Sequence, residues 1–180
     1  MMKPKARIKV TLSCNKRCPY CINKDEQYRK KWIPIKDIYS VNWSDFRSVV
    51  ISGGEPTLYK RYHDQSEGLI SIVRLLRKYI LPDTTIYLQT NGYLLTKSLV
   101  KSIDDFIDGI GLSIHDLEEF DHLYPRFQDI LRIKPIRLYV NENMVSEDSD
   151  MVKKWKQDGF GIRIWREGEF DESERIFVLE

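Results

Sequence analysis

The sequence predicts an α/β fold: an open (β/α)6 partial TIM barrel, with parallel strands inside and helices outside. Three observations predict it. Short runs of alternating apolar and polar residues are separated by longer helix-like stretches at a spacing of about 30 residues, as parallel βαβ units require. Each run has one apolar and one polar face, so helices cover a single side of the sheet, whereas a flat doubly wound sheet would be apolar on both. The 180 residues fall short of the roughly 250 that a closed eight-unit barrel takes.

Six strands are expected. Ala6–Ser13 sets Ile8, Val10 and Leu12 against Lys9, Thr11 and Ser13, and Ser48–Ser52 sets Val49 and Ile51 against Ser52. A helix over Gly68–Ile80 follows, with Leu69, Ile72, Val73, Leu76 and Ile80 as its apolar stripe. Thr85–Asn91 sets Ile86 and Leu88 against Tyr87, Gln89 and Asn91, and a helix over Ser98–Phe106 leads to Ile107–His115, where Ile110, Leu112 and Ile114 oppose Ser113 and His115. Pro135–Asn141 sets Ile136, Leu138 and Val140 against Arg137, Tyr139 and Asn141. A third helix over Asp150–Gln157, with Ser146 and Ser149 as candidate caps and Gly159 as its stop, precedes Gly161–Trp165, where Ile162 and Ile164 oppose Arg163 and Trp165. No repeat or linker divides the chain, so one domain over 1–180 is expected. The polar face either lines an open, wet interior or simply faces solvent.

No apolar run approaches the roughly 20 residues that cross a bilayer, and the basic start lacks the apolar core of a signal peptide, which points to the cytoplasm and away from a membrane. The net charge of +2 is uneven: residues 1–63 carry +9, 64–119 carry −4 and 120–180 carry −3. The basic third attracts an anionic substrate or is a solvated surface. It also contains all three cysteines, between positions 14 and 21, too few and too close for a disulfide framework. They serve chemistry or metal.

Those cysteines read Cys14-x3-Cys18-x2-Cys21, directly after the first strand, on the side where α/β folds place their sites. Three thiolates can hold three corners of a cubane iron–sulfur cluster and leave one iron free for an external ligand. The alternative is structural zinc, which needs a fourth ligand. His63, His115 and His122 are the histidines available for it.

The spacing, with Tyr20 just before the last cysteine, resembles the radical S-adenosylmethionine (SAM) superfamily. The resemblance continues in Gly53-Gly54-Glu55-Pro56 at the end of the second strand, Thr90-Asn91-Gly92 at the end of the third, and Leu-Ser-Ile-His-Asp at the end of the fourth, and it covers nearly the whole chain. It implies that Cys14, Cys18 and Cys21 hold a [4Fe–4S] cluster whose free iron chelates the methionine part of SAM. It further implies that Gly53 and Gly54 let the backbone approach that methionine, that Glu55 neutralises its ammonium, and that Pro56 stiffens the turn. Tyr20 would lie near the adenine and Ser113 would bind the ribose, with Gln89, Asn91 and Asn141 as further inward-facing candidates. Gly53 and Gly54 as a plain turn, and Ser113 as an ordinary strand residue, are the structural alternatives.

In the family mechanism the reduced cluster cleaves SAM to a 5′-deoxyadenosyl radical that takes a hydrogen atom from substrate, while the protein supplies position and desolvation. A flavodoxin or ferredoxin reductant is therefore an expected partner. Only 13 residues precede Cys14 and no further cysteine follows Cys21, which disfavours several subfamilies. Lys16 and Arg17 in the cysteine loop and Tyr28-Arg29-Lys30-Lys31-Trp32 after it suit a large anionic substrate, with nucleic acid a candidate partner. The leading expectation is a compact relative of the lyases that repair thymine photodimers in DNA, with Tyr87, Tyr139 or an external thiol returning the hydrogen atom in place of the missing fourth cysteine. An activating enzyme for a glycyl-radical protein, another polypeptide-modifying enzyme, and a zinc-binding nucleic-acid module are the alternatives.

Overall fold

The computed structural model describes residues 3–19, 21, 23, 30–59, 68–80, 84–166 and 174–179. The alternating segments form β1 (Lys5–Lys9), β2 (Lys30–Ile33), β3 (Ser48–Ser52), β4 (Thr85–Thr90), β5 (Gly109–Ile114), β6 (Ile136–Asn141), β7 (Gly161–Trp165) and β8 (Arg175–Leu179). They make one open, fully parallel sheet in the order β2-β8-β1-β3-β4-β5-β6-β7. The helices are α1 (Gly68–Tyr79), α2 (Lys97–Ile103), α3 (Leu117–Leu131) and α4 (Asp150–Gln157).

The six expected strands lie side by side in chain order, from β1 to β7 with β2 set apart. Their apolar face is the core: Ile8, Ile51, Leu88, Leu112 and Leu138 have no exposed surface. Burial of each such side chain stabilises the fold by about 1.5–3 kcal/mol.

Three features depart from expectation. β1 ends at Lys9 rather than Ser13, although Val10 still donates to the Ser52 carbonyl at 3.0 Å and the Thr11 and Ser13 carbonyls still accept from the end of β3; Leu12, expected on the covered face, is 48% exposed. Strands β2 and β8 were not anticipated, and β8 inserts between β2 and β1, so the sheet has eight strands rather than six. Helix α3 was not anticipated either. It runs through Pro125 because Phe120, Phe127 and Ile130 bury one face of it, and because the Asp116 side chain caps it by accepting from the Glu119 N–H at 2.9 Å. Of the two candidate caps on α4, Ser149 is the one used, and Gly159 ends that helix at φ +96.

Two glycines shape the inward face. A Cβ on Gly109 would sit 2.9 Å from the Tyr87 ring, and one on Gly111 would sit 2.9 Å from the Tyr139 ring. Both tyrosines therefore lie over β5 in space that only glycine leaves open.

Candidate functional site

The cysteine loop is fastened to the strand ends around it. Gly54 N–H donates to the Thr11 carbonyl and Glu55 N–H to the Ser13 carbonyl, each at 2.7 Å, which extends the β1–β3 pairing almost to Cys14. This contact explains the two glycines. A Cβ on Gly53 would lie 2.3 Å from the Thr11 oxygen, and one on Gly54 would lie 2.2 Å from the Ser13 oxygen and 2.5 Å from the Leu12 oxygen. What their bareness admits here is the backbone leading into the cysteines, where the sequence suggested the approach of a ligand.

Glu55 is fully buried. One carboxylate oxygen accepts from the Thr57 N–H at 3.1 Å and from the Thr57 and Thr90 hydroxyls at 2.6 Å each, and the other accepts from the Asn91 N–H at 2.8 Å. The expected neutraliser of a ligand ammonium is thus a buried tie between the ends of β3 and β4. Pro56 is buried at the start of the short 3-10 turn that Glu55 caps. The Asn91 amide donates to Asn15 Oδ1 at 2.7 Å, so the β4 end also reaches into the cysteine loop. Gly92, at φ +78, packs under Phe127 and Leu112 and accepts from Arg126 at 2.8 Å.

A third attachment comes from β5 and α3. Lys16 pairs with Glu119, and Cys18 Sγ lies 3.6 Å from His115 Nδ1. Burial and the nearby Lys16 charge lower the His115 pKa, which keeps the ring neutral at pH 7. Burial, then the negative charges of Cys21 and Cys14, push the Cys18 thiol up. The three sulfurs are therefore within electrostatic reach of one another, and none forms a disulfide.

Beneath the loop the inward face carries a connected polar layer. Arg7 holds Glu174 through Nε at 2.9 Å and Nη2 at 3.1 Å, and its Nη1 donates to Gln89 Oε1 at 2.8 Å and to Ser52 Oγ at 3.2 Å. Gln89 Nε2 then donates to Ser113 Oγ at 3.1 Å. Four strands are linked, and Ser113 is left with its hydroxyl hydrogen free to donate to another group. Sequence parity could have found Arg7, which shares the face of Lys9; its partner Glu174 precedes a strand that was not anticipated.

The remaining expected residues divide. Tyr139 is in register with Ser113, level with the strand ends. Tyr87 pairs with Gly109, four positions below Ser113 on β5 and so about 13 Å deeper. That depth separates it from any group lying on Ser113. Asn141 is 5% exposed, and its Oδ1 accepts from the Asn143 N–H at 2.9 Å. Lys9 is fully buried and bonded to Asn23, whose amide holds the Gly53 carbonyl at 2.9 Å. Tyr20, His63 and residues 28–29 of the basic aromatic segment lie outside the described residues, and Arg17 is described without a role in these attachments.

Comparison with known proteins decides the family. The model of the Radical SAM superfamily matches residues 8–144, which takes in every segment of this site from β1 to β6. The chain belongs to the radical SAM superfamily. Radical SAM relatives include the GTP 3′,8-cyclase of Chlorobaculum tepidum, 24% identical over 201 aligned positions covering 94% of this chain and 58% of the relative. The GTP 3′,8-cyclase of Clostridium perfringens (strain 13) is 28% identical over 135 positions, 71% of this chain and 38% of the relative. An S-adenosylmethionine-dependent nucleotide dehydratase of Lacinutrix mariniflava is 24% identical, with 84% of this chain and 30% of the relative covered. The chain thus spans from about a third to somewhat over half the length of these relatives. Among solved structures, Streptococcus suis SuiB superposes with a TM-score of 0.67 at 17% identity, covering 97% of this chain and 42% of that one. Native anSMEcpe with bound AdoMet superposes with a TM-score of 0.60 at 20% identity, covering 91% and 51%. Both share the radical SAM fold.

Radical SAM proteins use a [4Fe–4S] cluster and SAM, and the donors here fit that pair. Among the described residues no three His, Cys, Asp or Glu side chains converge as a single metal ion would require. Among the described residues, which leave out His63, a structural zinc, which draws all its ligands to about 2.3 Å from one centre, has no such set, and His122 is exposed on α3. A cluster gives each thiolate its own iron and so suits three free thiols on one loop. No helix is long and apolar enough to cross a membrane among the described residues.

Proposed function

We propose that the chain, acting as one unit over 1–180, binds a [4Fe–4S] cluster on Cys14, Cys18 and Cys21, binds SAM beside it, and uses the pair to take a hydrogen atom from an anionic, nucleotide-type substrate. The observation that supports this reading is the fastening of the cysteine loop to the ends of β3 and β4 by Gly54, Glu55 and Asn91 and to α3 by Glu119. When bound, the reduced cluster supplies the electron that cleaves SAM to a 5′-deoxyadenosyl radical.

This chain's own residues would do the positioning. Ser113, accepting from Gln89, offers its O–H to a ribose oxygen. Asn91, reaching over the loop to Asn15, lies at the same rim. Tyr139, on the same level as Ser113, is the inward tyrosine placed to return a hydrogen atom. Tyr20 stays the candidate for the adenine. The cluster's electron would come from a flavodoxin or ferredoxin.

The nucleotide class rests on the basic first third of the chain and on the names of the relatives, two GTP 3′,8-cyclases and a nucleotide dehydratase. Photodimer repair in DNA is the polymeric form of the same class. The test is anaerobic reconstitution with iron and sulfide, then measurement of 5′-deoxyadenosine under dithionite with nucleoside triphosphates, UV-damaged DNA or peptides added. SAM cleavage stimulated by a nucleotide, and lost together with bound iron in Cys18→Ala, is the expected result. A colourless protein with one zinc and intact SAM refutes the enzyme, and stimulation by damaged DNA or peptide alone refutes the nucleotide.

A further inference from the structure

The inward face carries three arginines on β1, β6 and β7, and the fold treats them differently. Arg7 is neutralised by the fork of Glu174. Arg137 on β6 and Arg163 on β7 are exposed and make no hydrogen bond or ion pair among the described residues. Among the described residues, three inward-side or neighbouring acids are engaged elsewhere: Glu174 with Arg7, Glu142 with Arg166 at 2.8 Å, and Glu55 within its own turn. Two guanidiniums with no partner among the described residues, side by side on one face, make that face locally positive and open to an anion.

Their placement is specific. Arg137 pairs with Gly161 and Tyr139 pairs with Arg163, so the two arginines are diagonal neighbours, two positions apart along the strands and one strand across, with backbones about 8 Å apart. The Arg137 side chain crosses over β7 through the space that Gly161 leaves open, where a Cβ would stand 3.6 Å from its Nε. Arg163 is level with Tyr139 and, one strand further, with Ser113. The row thus runs from the residue offered to the SAM ribose, through a tyrosine, to an unpaired cation.

We propose that Arg137 and Arg163 form the subsite for the substrate's phosphate chain, which they hold through charge-assisted bonds across the β6–β7 edge while the rest of the nucleotide extends toward Ser113. The inference rests on the functional reading above and deepens it, adding two named contacts outside the basic first third. Two planar forks at this spacing suit adjacent phosphates better than one small anion.

The test is calorimetric titration of the reconstituted full chain with tripolyphosphate, GTP, guanosine and citrate. Wild type binds tripolyphosphate and GTP, guanosine far more weakly, and both phosphates less tightly as salt is raised. Arg137→Gln and Arg163→Gln each weaken GTP and tripolyphosphate about tenfold or more, while Arg132→Gln, at an 80% exposed surface pair on the far end of α3, changes neither. Wild-type affinity retained in both inward variants overturns the assignment, as does a wild type that binds no triphosphate or prefers citrate. SAM binding, measured in parallel by equilibrium dialysis, separates the two readings. SAM bound by all variants with unchanged GTP affinity defeats only the subsite, whereas a wild type that fails to bind SAM defeats the proposed function and leaves the arginine comparison readable.

Discussion

Glu55→Gln tests how the site is built. Glu55 has no exposed surface, and its two oxygens accept four hydrogen bonds from Thr57, Thr90 and Asn91. An amide of the same shape keeps its oxygen toward Thr57 and Thr90, since three of the four donors converge there. Its NH2 must then face the Asn91 N–H, now 2.8 Å from a donor. One charge-assisted bond is lost and a buried N–H is left without an acceptor, a cost of about 1.5–3 kcal/mol. For a chain of this size that lowers the melting temperature by roughly 3–12 °C. The assay is thermal denaturation of the cluster-free protein without SAM, followed by iron content after reconstitution. If Glu55 instead served a ligand ammonium, melting without ligand would be unchanged and only SAM affinity would fall; that result refutes the tie between β3 and β4.

Other positions follow from the same contacts. Gly54→Ala drives a Cβ to 2.2 Å from the Ser13 carbonyl, which only backbone movement relieves; a loss of about 1–3 kcal/mol in urea unfolding is expected, with reduced iron incorporation because the segment before Cys14 shifts. Gly92→Ala combines a φ of +78 with a 2.7 Å approach to Phe127, so about 2–5 kcal/mol is lost by the same measurement. Tyr124 has its pKa raised by burial and then by its hydrogen bond to Asp158. Its protonated form is the one the fold favours, so its contribution is full below about pH 10, the unfolded value, and declines as pH rises above it. The stability difference between wild type and Tyr124→Phe should be constant from pH 7 to about 9.5 and shrink at higher pH; a difference that grows with pH contradicts this sign.

Much of the fold is legible in the chain because one physical rule, alternation on a half-covered sheet, operates locally. Ile8, Ile51, Leu88, Leu112 and Leu138 could be assigned to the covered face from periodicity alone, and all are buried there. Strand β8 escapes that rule. Arg-Ile-Phe-Val-Leu has its apolar residues in one run, and its place between β1 and β2 is a pairing across more than 140 residues that no local pattern records. Helix α3 is hidden by Pro125, since a proline inside a short apolar stripe reads as a stop; burial of Phe120, Phe127 and Ile130 outweighs the missing hydrogen bond. Leu12 shows the opposite error, an apolar residue of the alternating run that is nonetheless 48% exposed.

The sequence by itself determined the chemistry: three cysteines with no others to pair, a Gly-Gly-Glu-Pro turn and a Thr-Asn-Gly turn, each at a strand end. Side-chain type and strand position are local properties, so they can be read from the chain. Only the tertiary structure decided what each residue does there. Gly53 and Gly54 proved to face the Thr11–Ser13 backbone, Glu55 proved to bind Thr57, Thr90 and Asn91, and Arg7 found its acid in Glu174 while Arg137 and Arg163 found none among the described residues. Partnership depends on which elements the sheet brings together across the chain, and that is set by packing and register.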